Sequence, residues 1–346
     1  MSKSLKIDII CNDGSPIGVS EASIDGRDGS IGVGGAELGL LTLCAGWHNS
    51  GHHVTLYNTP RVPKGSIFPQ KPLNLFSPNE DRDILIIFRS PNHRALKAKG
   101  KKIWFSTDQY TVGDFRDFSY QVDRIVTISN FHAEYFNNVY GISNTVTIDL
   151  PVRTWEYSEP IEKVKNKLIF CSVPDRGLHI LTDVYDVLKK NLPDISLTIT
   201  SDYRLWGVSS PLNERYISRF IGKEGVRFLG AVSRSQLIQE QLSSEIHSYP
   251  CTYDELFCYA VAECQVAGNY PITSTKGALP TTNMGKLLSG EVTSMEWRNL
   301  FVESIIQTLT NRKAMQEEAK DIQQRAIKRF ALKDILKIWD ERVFYV

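Results

Sequence analysis

The sequence predicts an α/β protein of two Rossmann-like domains, each a doubly wound parallel sheet, facing each other across a ligand-binding cleft. Three observations carry this. Apolar runs of strand length alternate with helical patterns from end to end, as expected of parallel sheets covered by helices on both faces. The alternation stops and restarts in mid-chain. The chain is also too long for one average domain, since 346 residues suit two of ordinary size.

In the first half, buried strands are read over 5–11, 53–57, 83–88, 102–105, 124–128 and 145–148. A helix over 36–50 follows the first of them, and a helix over 130–140 stops at Gly141. The pattern restarts with a strand over 167–171 and an amphipathic helix over 177–191, which carries Leu178, Leu181, Val184, Tyr185 and Leu188 on one face. Further strands are read over 196–200, 226–229, 246–249 and 271–274. Pro160 and a charged stretch interrupt the pattern at 151–165, so the expected domains are 1–155 and 156–325. The segment 326–346 ends in an amphipathic helix, with Ile335, Leu336, Ile338, Trp339 and Val343 apolar, expected to return to the first domain.

Composition narrows the function classes. Hydrophobic residues make up 42% and charged residues 23%, enough apolar mass for two cores. Forty basic residues against 39 acidic leave a net charge of +1, so no global field favours nucleic acid. One local basic group, Arg94, Lys97, Lys99, Lys101 and Lys102, reads first as a solvated helix end and turn. It is also compatible with an anionic acceptor or with peripheral contact to a membrane. No run approaches the roughly 18 apolar residues of a membrane span. The N-terminus lacks the apolar stretch of a signal peptide. The six cysteines, at 11, 44, 171, 251, 258 and 264, form no CxxC pair and read as reduced core residues of a cytoplasmic protein.

Two segments carry chemistry. After the first strand, 12–30 lacks periodicity and contains Gly14, Gly18, Gly26 and Gly29, at the sheet edge where open α/β folds bind ligands. Gly32-Val33-Gly34-Gly35-Ala36-Glu37 then opens the helix, where glycines allow close backbone approach and free N–H groups attract anions. A tight loop-to-helix turn accounts for the same residues. A nicotinamide fingerprint does not, because Glu37 holds the third glycine position and Tyr57-Asn58-Thr59 lacks the acidic ribose ligand.

The second segment is Tyr249 to Gly268. A helix is expected from about Leu256 to Ala267, capped by Asp254, with Glu255 at its mouth. Eight residues on, Glu263 would lie roughly 80° around the helix axis and ~12 Å along it, suited to gripping two ends of one elongated ligand. Glu263 sits among Ala260, Val261, Ala262, Cys264, Val266 and Ala267, so it needs either a core ion partner or a polar ligand.

With these residues in view, the sequence resembles the large fourth family of retaining glycosyltransferases, group 1, with the GT-B fold. Glu255-x7-Glu263 followed by Ala267-Gly268-Asn269-Tyr270-Pro271-Ile272 looks like its double-glutamate signature. Gly32 to Glu37, Gly51 to Tyr57, Trp104 to Asp108, Ile128 to Phe131, Pro174 to Leu178 and Phe228 to Gly230 resemble further family segments in the family's order. The resemblance implies that the donor is a nucleoside-diphosphate sugar, UDP- or GDP-linked, with no other cofactor. It implies that Glu263 bonds the ribose and Glu255 the transferred sugar. It implies that Arg176 and the backbone amides of Gly277, Ala278 and Leu279 neutralise the diphosphate. Gly34 and Gly35 would approach the donor phosphate and acceptor, and Asp108 the sugar or acceptor. The chain departs from the pattern where Phe170 to Val173 offers no extra basic residue, where Asp108 stands in place of a common histidine, and where Pro280-Thr281-Thr282-Asn283 replaces a glutamate.

Two other readings stand beside it: an epimerase or phosphorylase on the same fold, and an inactive sugar-nucleotide-binding module. The acceptor (saccharide, lipid, protein or nucleic-acid base) is not identified by these residues. No metal site is expected. Asp81-Arg82-Asp83 matches the metal-binding pair of the other main glycosyltransferase fold but leads straight into a strand, and His48, His52 and His53 form no ligand set.

Overall fold

The structure is a computed structural model that describes residues 3–11, 18–62, 66–108, 115–206 and 211–346. The chain divides into two compact units, one comprising 1–151 with 330–346 and the other 152–329.

The first unit holds β1 (Lys6–Ile10), β2 (His53–Tyr57), β3 (Gln70–Lys71), β4 (Ile84–Phe88), β5 (Lys101–Phe105), β6 (Arg124–Thr127) and β7 (Thr145–Thr147). They form one parallel sheet in the order β3-β2-β1-β4-β5-β6-β7. Strand β4 reads Ile-Leu-Ile-Ile-Phe and is buried at every position, because a central parallel strand is covered on both faces. The two-residue strand β3 has no periodicity to betray it in the sequence.

Local chemistry sets the helix ends. Ser129 caps the helix Asn130–Tyr140 by accepting the His132 N–H, and Gly141 closes it in the left-handed conformation at φ 70°. The segment read as an aperiodic loop over 12–30 contains a short helix, Glu21–Ile24, while 12–17, including Gly14, lie outside the described residues. The terminal helix Leu332–Trp339 packs on the helix Gly35–Asn49, where Gly46 lets Leu332 and Leu336 come close. Trp339 meets Trp47 edge-on at 5.2 Å and Phe105 at 5.2 Å, an apolar seam that fixes the end of the chain to this sheet. No described helix is long and apolar enough to cross a membrane.

The second unit holds β8 (Lys167–Phe170), β9 (Ser196–Ile199), β10 (Val226–Phe228), β11 (Ile246–Tyr249), β12 (Tyr270–Ser274) and β13 (Lys286–Leu288). These are also all parallel, in the order β10-β9-β8-β11-β12-β13. Leu178, Leu181, Val184, Tyr185 and Leu188 of the helix Leu178–Asn191 are buried in its core. In both sheets the strand order reverses beside the first strand, between β1 and β4 and between β8 and β11. Loops leaving the carboxyl ends of those strands splay apart, which makes each reversal a natural ligand crevice.

Candidate functional site

At the reversal in the second sheet, the loops after β8 and β11 are packed backbone to backbone. After β8 the chain makes one turn, Pro174–Arg176, ended by Gly177 at φ 103°. A Cβ on Gly177 would stand 1.9 Å from the Pro250 carbonyl oxygen, so only glycine permits this approach. The packing delivers Arg176 to Glu255, with Nε 3.3 Å from Oε1. The Tyr253 ring lies against the guanidinium, 3.4 Å from carbon to ring centroid. The Tyr249 hydroxyl donates to the same Glu255 oxygen at 2.7 Å and lies 3.3 Å from Ser172 Oγ. Burial pushes the Glu255 carboxyl up, against the pull of Arg176 and Tyr249. For Arg176 burial acts downward, but Glu255 and Asp175 together leave its affinity for the proton raised. The result is a fixed cation beside a largely buried carboxylate.

Glu255 does not sit at a helix mouth. The helix begins at Tyr259, and its cap is Cys258 in the left-handed conformation at φ 65°, not Asp254. Glu255 therefore belongs to the loop, and its separation from Glu263 is not set by helical periodicity. The loop is held from the other side by Gly277, at φ 56°, where a Cβ would stand 2.3 Å from the Glu255 carbonyl oxygen. That carbonyl accepts the Ala278 N–H at 2.7 Å, and the Leu279 N–H donates to Lys276. Two of the three amides expected at the diphosphate, those of Ala278 and Leu279, are thus engaged within the protein. The Leu279 side chain is core.

Glu263 lies elsewhere in the same unit, buried and paired. Its Oε1 is 2.6 Å from Arg234, which also reaches Glu156 at 2.7 Å, while Arg153 meets Glu156 at 2.5 Å. Burial pushes the Glu263 carboxyl up and Arg234 opposes it. Arg234 was not singled out by the sequence, because nothing in its surroundings marks a pairing with a residue 29 positions on.

In the first unit, Gly34 and Gly35 form the start of the helix Gly35–Asn49 after β1, and Asp108 follows β5. Glu37, in the first helical turn, is ion-paired with Arg89, which sits at the end of β4 with φ 64°. A non-glycine residue at positive φ just past a central strand is strained backbone at a ligand edge. The Asp108 carbonyl accepts from Ser106 Oγ at 3.2 Å, and Ser106 Oγ lies 3.4 Å from His132 Nε2. Of the acidic pair set aside above, Asp83 accepts the Lys6 N–H at 2.8 Å and Asp81 pairs with Lys99 at 2.6 Å, while Arg82 is buried against Asp8 at 2.7 Å. The basic group is partly consumed as well, since Lys101 Nζ donates to the Val343 and Val346 carbonyls.

The six cysteines are all buried and unbridged. The fold nevertheless brings Cys171, Cys264 and His247 together, with one side-chain atom of each within 4.8 Å of the others, a cluster whose wide sequence spacing gave no signal.

No protein-family model and no curated protein sequence matches this chain. Its structure is similar to solved glycosyltransferases over nearly its whole length. A glycosyltransferase from Rickettsia africae aligns at TM-score 0.73 and 14% identity, covering 100% of each chain. HepE of Anabaena, in complex with UDP and glucose, aligns at TM-score 0.69 and 14% identity, covering 99% of this chain and 100% of that one. Sucrose-phosphate synthase from Thermosynechococcus elongatus aligns at 0.69 and 14%, covering 97% of each. The chain has the fold of these proteins, the GT-B fold of two Rossmann-like units.

Proposed function

We propose that this chain is a glycosyltransferase that moves a sugar from a nucleoside-diphosphate sugar to an acceptor, with retention of anomeric configuration. The observation that carries the reading is the meeting of Arg176, Glu255 and the Gly277 turn at the strand-order reversal of the second sheet. The fold shared with HepE, which was crystallised with UDP and with UDP-glucose, favours a UDP-linked donor.

Cleavage of the donor builds negative charge on the departing diphosphate and positive charge on the sugar ring. Arg176, pinned between Glu255 and Tyr253, offers a cation already oriented for the first, and the Gly277 amide adds a dipole. Glu255 Oε1 is occupied by Tyr249 and Arg176, so Oε2 is the oxygen assigned to a sugar hydroxyl. Glu263 is assigned the ribose hydroxyls. In the first unit, Gly34, Gly35 and Asp108 are assigned to the acceptor side. Glu255, committed to Arg176 and Tyr249, is assigned no nucleophilic role, which favours front-face transfer. With Arg176 as the charge-stabilising group, the transfer step needs no added divalent cation.

Arg176→Ala should lower turnover by about 10²–10³, the scale for one preorganised charge-stabilising group. Proton NMR of fresh product should show the donor's anomeric configuration. An inverted product, or activity that depends on added Mg²⁺ or Mn²⁺, would overturn this mechanism.

A further inference from the structure

We propose that Cys171, His247 and Cys264 form a structural zinc site inside the second unit. The three residues come from different elements. Cys171 directly follows β8, His247 lies in β11 beside it, and Cys264 lies on the helix Tyr259–Val266. An ion held by all three would tie that helix to two central strands.

The spacing of the three ligand atoms suits three corners of a tetrahedron. The two sulfurs are 3.4 Å apart, Cys171 Sγ is 3.9 Å from His247 Nε2, and all three ligand atoms lie within 4.8 Å of one another. Zn–S bonds of about 2.3 Å and a Zn–N bond of about 2.0 Å at tetrahedral angles give edges of about 3.8 Å for S···S and about 3.5 Å for S···N. Side-chain shifts of a few tenths of an ångström bring the two measured edges to those lengths, and the third, within 4.8 Å, must close to about 3.5 Å.

The surroundings favour thiolates. Arg234 donates to the Tyr157 hydroxyl at 3.4 Å, so that hydroxyl gives its own proton to Gln241 Oε1 at 2.7 Å. This fixes the amide with its nitrogen facing the sulfurs, and Gln241 Nε2 lies 3.7 Å from both Cys171 Sγ and Cys264 Sγ. A buried NH₂ group aimed at two neutral thiols meets weak acceptors; aimed at two metal-bound thiolates it meets strong ones. His247 is wholly buried. Its ring stacks on Tyr249, centroids 5.2 Å apart, and its Nε2 lies 3.9 Å from Cys171 Sγ, on the side a shared ion would occupy. Two thiolates and one divalent cation sum to zero, and a neutral assembly is what a site this deep accepts. Because the ligands are enclosed, the ion must enter during folding.

The full-length protein, produced in zinc-supplemented cells and purified without chelator, should carry about one zinc per chain by elemental analysis, as for a folding-coupled site. Cys264→Ala and His247→Gln should each cut that to less than about a fifth. If those variants fail to fold, wild-type protein refolded with Co²⁺ supplies the second readout: thiolate-to-cobalt charge transfer in the near ultraviolet, with the visible bands of tetrahedral cobalt. Wild-type protein free of zinc and silent with Co²⁺ would overturn the site. So would a Cys171–Cys264 disulfide found by mass analysis of the unreduced protein, or zinc retained at full occupancy in both variants.

Discussion

Replacing Gly177 with alanine tests the contact on which the candidate site is built. The new Cβ would stand 1.9 Å from the Pro250 carbonyl oxygen. Carbon and oxygen tolerate about 3.3 Å, so one loop must retreat by more than about 1 Å. Residue 177 also sits at φ 103°, which alanine adopts only under strain. Backbone strain of about 1–3 kcal/mol and overpacking of about 1–3 kcal/mol combine to roughly 2–6 kcal/mol. In a unit of this size that lowers the melting temperature by on the order of 10 °C. The retreat also opens the 3.3 Å contact between Arg176 and Glu255. Affinity for a nucleoside diphosphate should fall about tenfold to a hundredfold, the loss of one charge-assisted hydrogen bond. Gly141→Ala is the control. It has φ 70°, but its Cβ would meet only Arg116, at 3.9 Å, so it should cost about 1–2 kcal/mol and leave ligand affinity unchanged. Scanning calorimetry and ligand titration on both variants decide the matter. A Gly177→Ala protein with native melting temperature and affinity would refute the close packing of the two loops.

Two further predictions concern buried charge. Arg234→Met leaves Glu263 without a cation and should destabilise the second unit by about 3–5 kcal/mol, whereas Arg234→Met with Glu263→Met should recover much of that. Hydrogen exchange over 234–243 and 259–266 reads the effect locally, and a double variant no more protected than the single one would show that the pair is not the source. His132 is buried with Nδ1 accepting from the Ile128 N–H at 3.4 Å and Nε2 near Ser106, and burial lowers its pKa to about 3. The unfolded chain takes up that proton near the ordinary value of about 6.5, so stability is present above about pH 6.5 and lost as pH falls toward about 3, by up to several kcal/mol. His132→Phe, less stable at neutral pH, should show a flatter dependence of melting temperature between about pH 4 and 6.5; an unchanged slope would remove His132 as the cause.

What the sequence disclosed and what it concealed divide along a physical line. Strand β4 was legible because five consecutive apolar residues between polar neighbours admit few alternatives, and the helix Asn130–Tyr140 because both of its caps are local. The helix start at Tyr259 was not. Glu255 is held by Gly277 and Ala278, and Gly177 presses on Pro250, so tertiary packing keeps this loop non-helical up to Cys258. The helix Arg312–Phe330 escaped notice because its charged residues dilute the apolar period. At the site, Arg176 and Glu255 were legible through the motifs around them. Their partners Tyr249 and Tyr253, the Arg234 that pairs with Glu263, the strained Arg89 and the Cys171–His247–Cys264 set became visible only in three dimensions, since each depends on which strands and loops become neighbours.

The central claim, that the second unit binds a nucleoside diphosphate through Arg176 and Glu263, is tested most directly by calorimetric titration of UDP and GDP. Wild-type protein should bind one of them, and Arg176→Ala and Glu263→Ala should each weaken that binding by about 1–3 kcal/mol, the range for losing a hydrogen bond to a charged group. Wild-type protein that binds neither nucleotide, or two variants that bind with unchanged affinity, would contradict it.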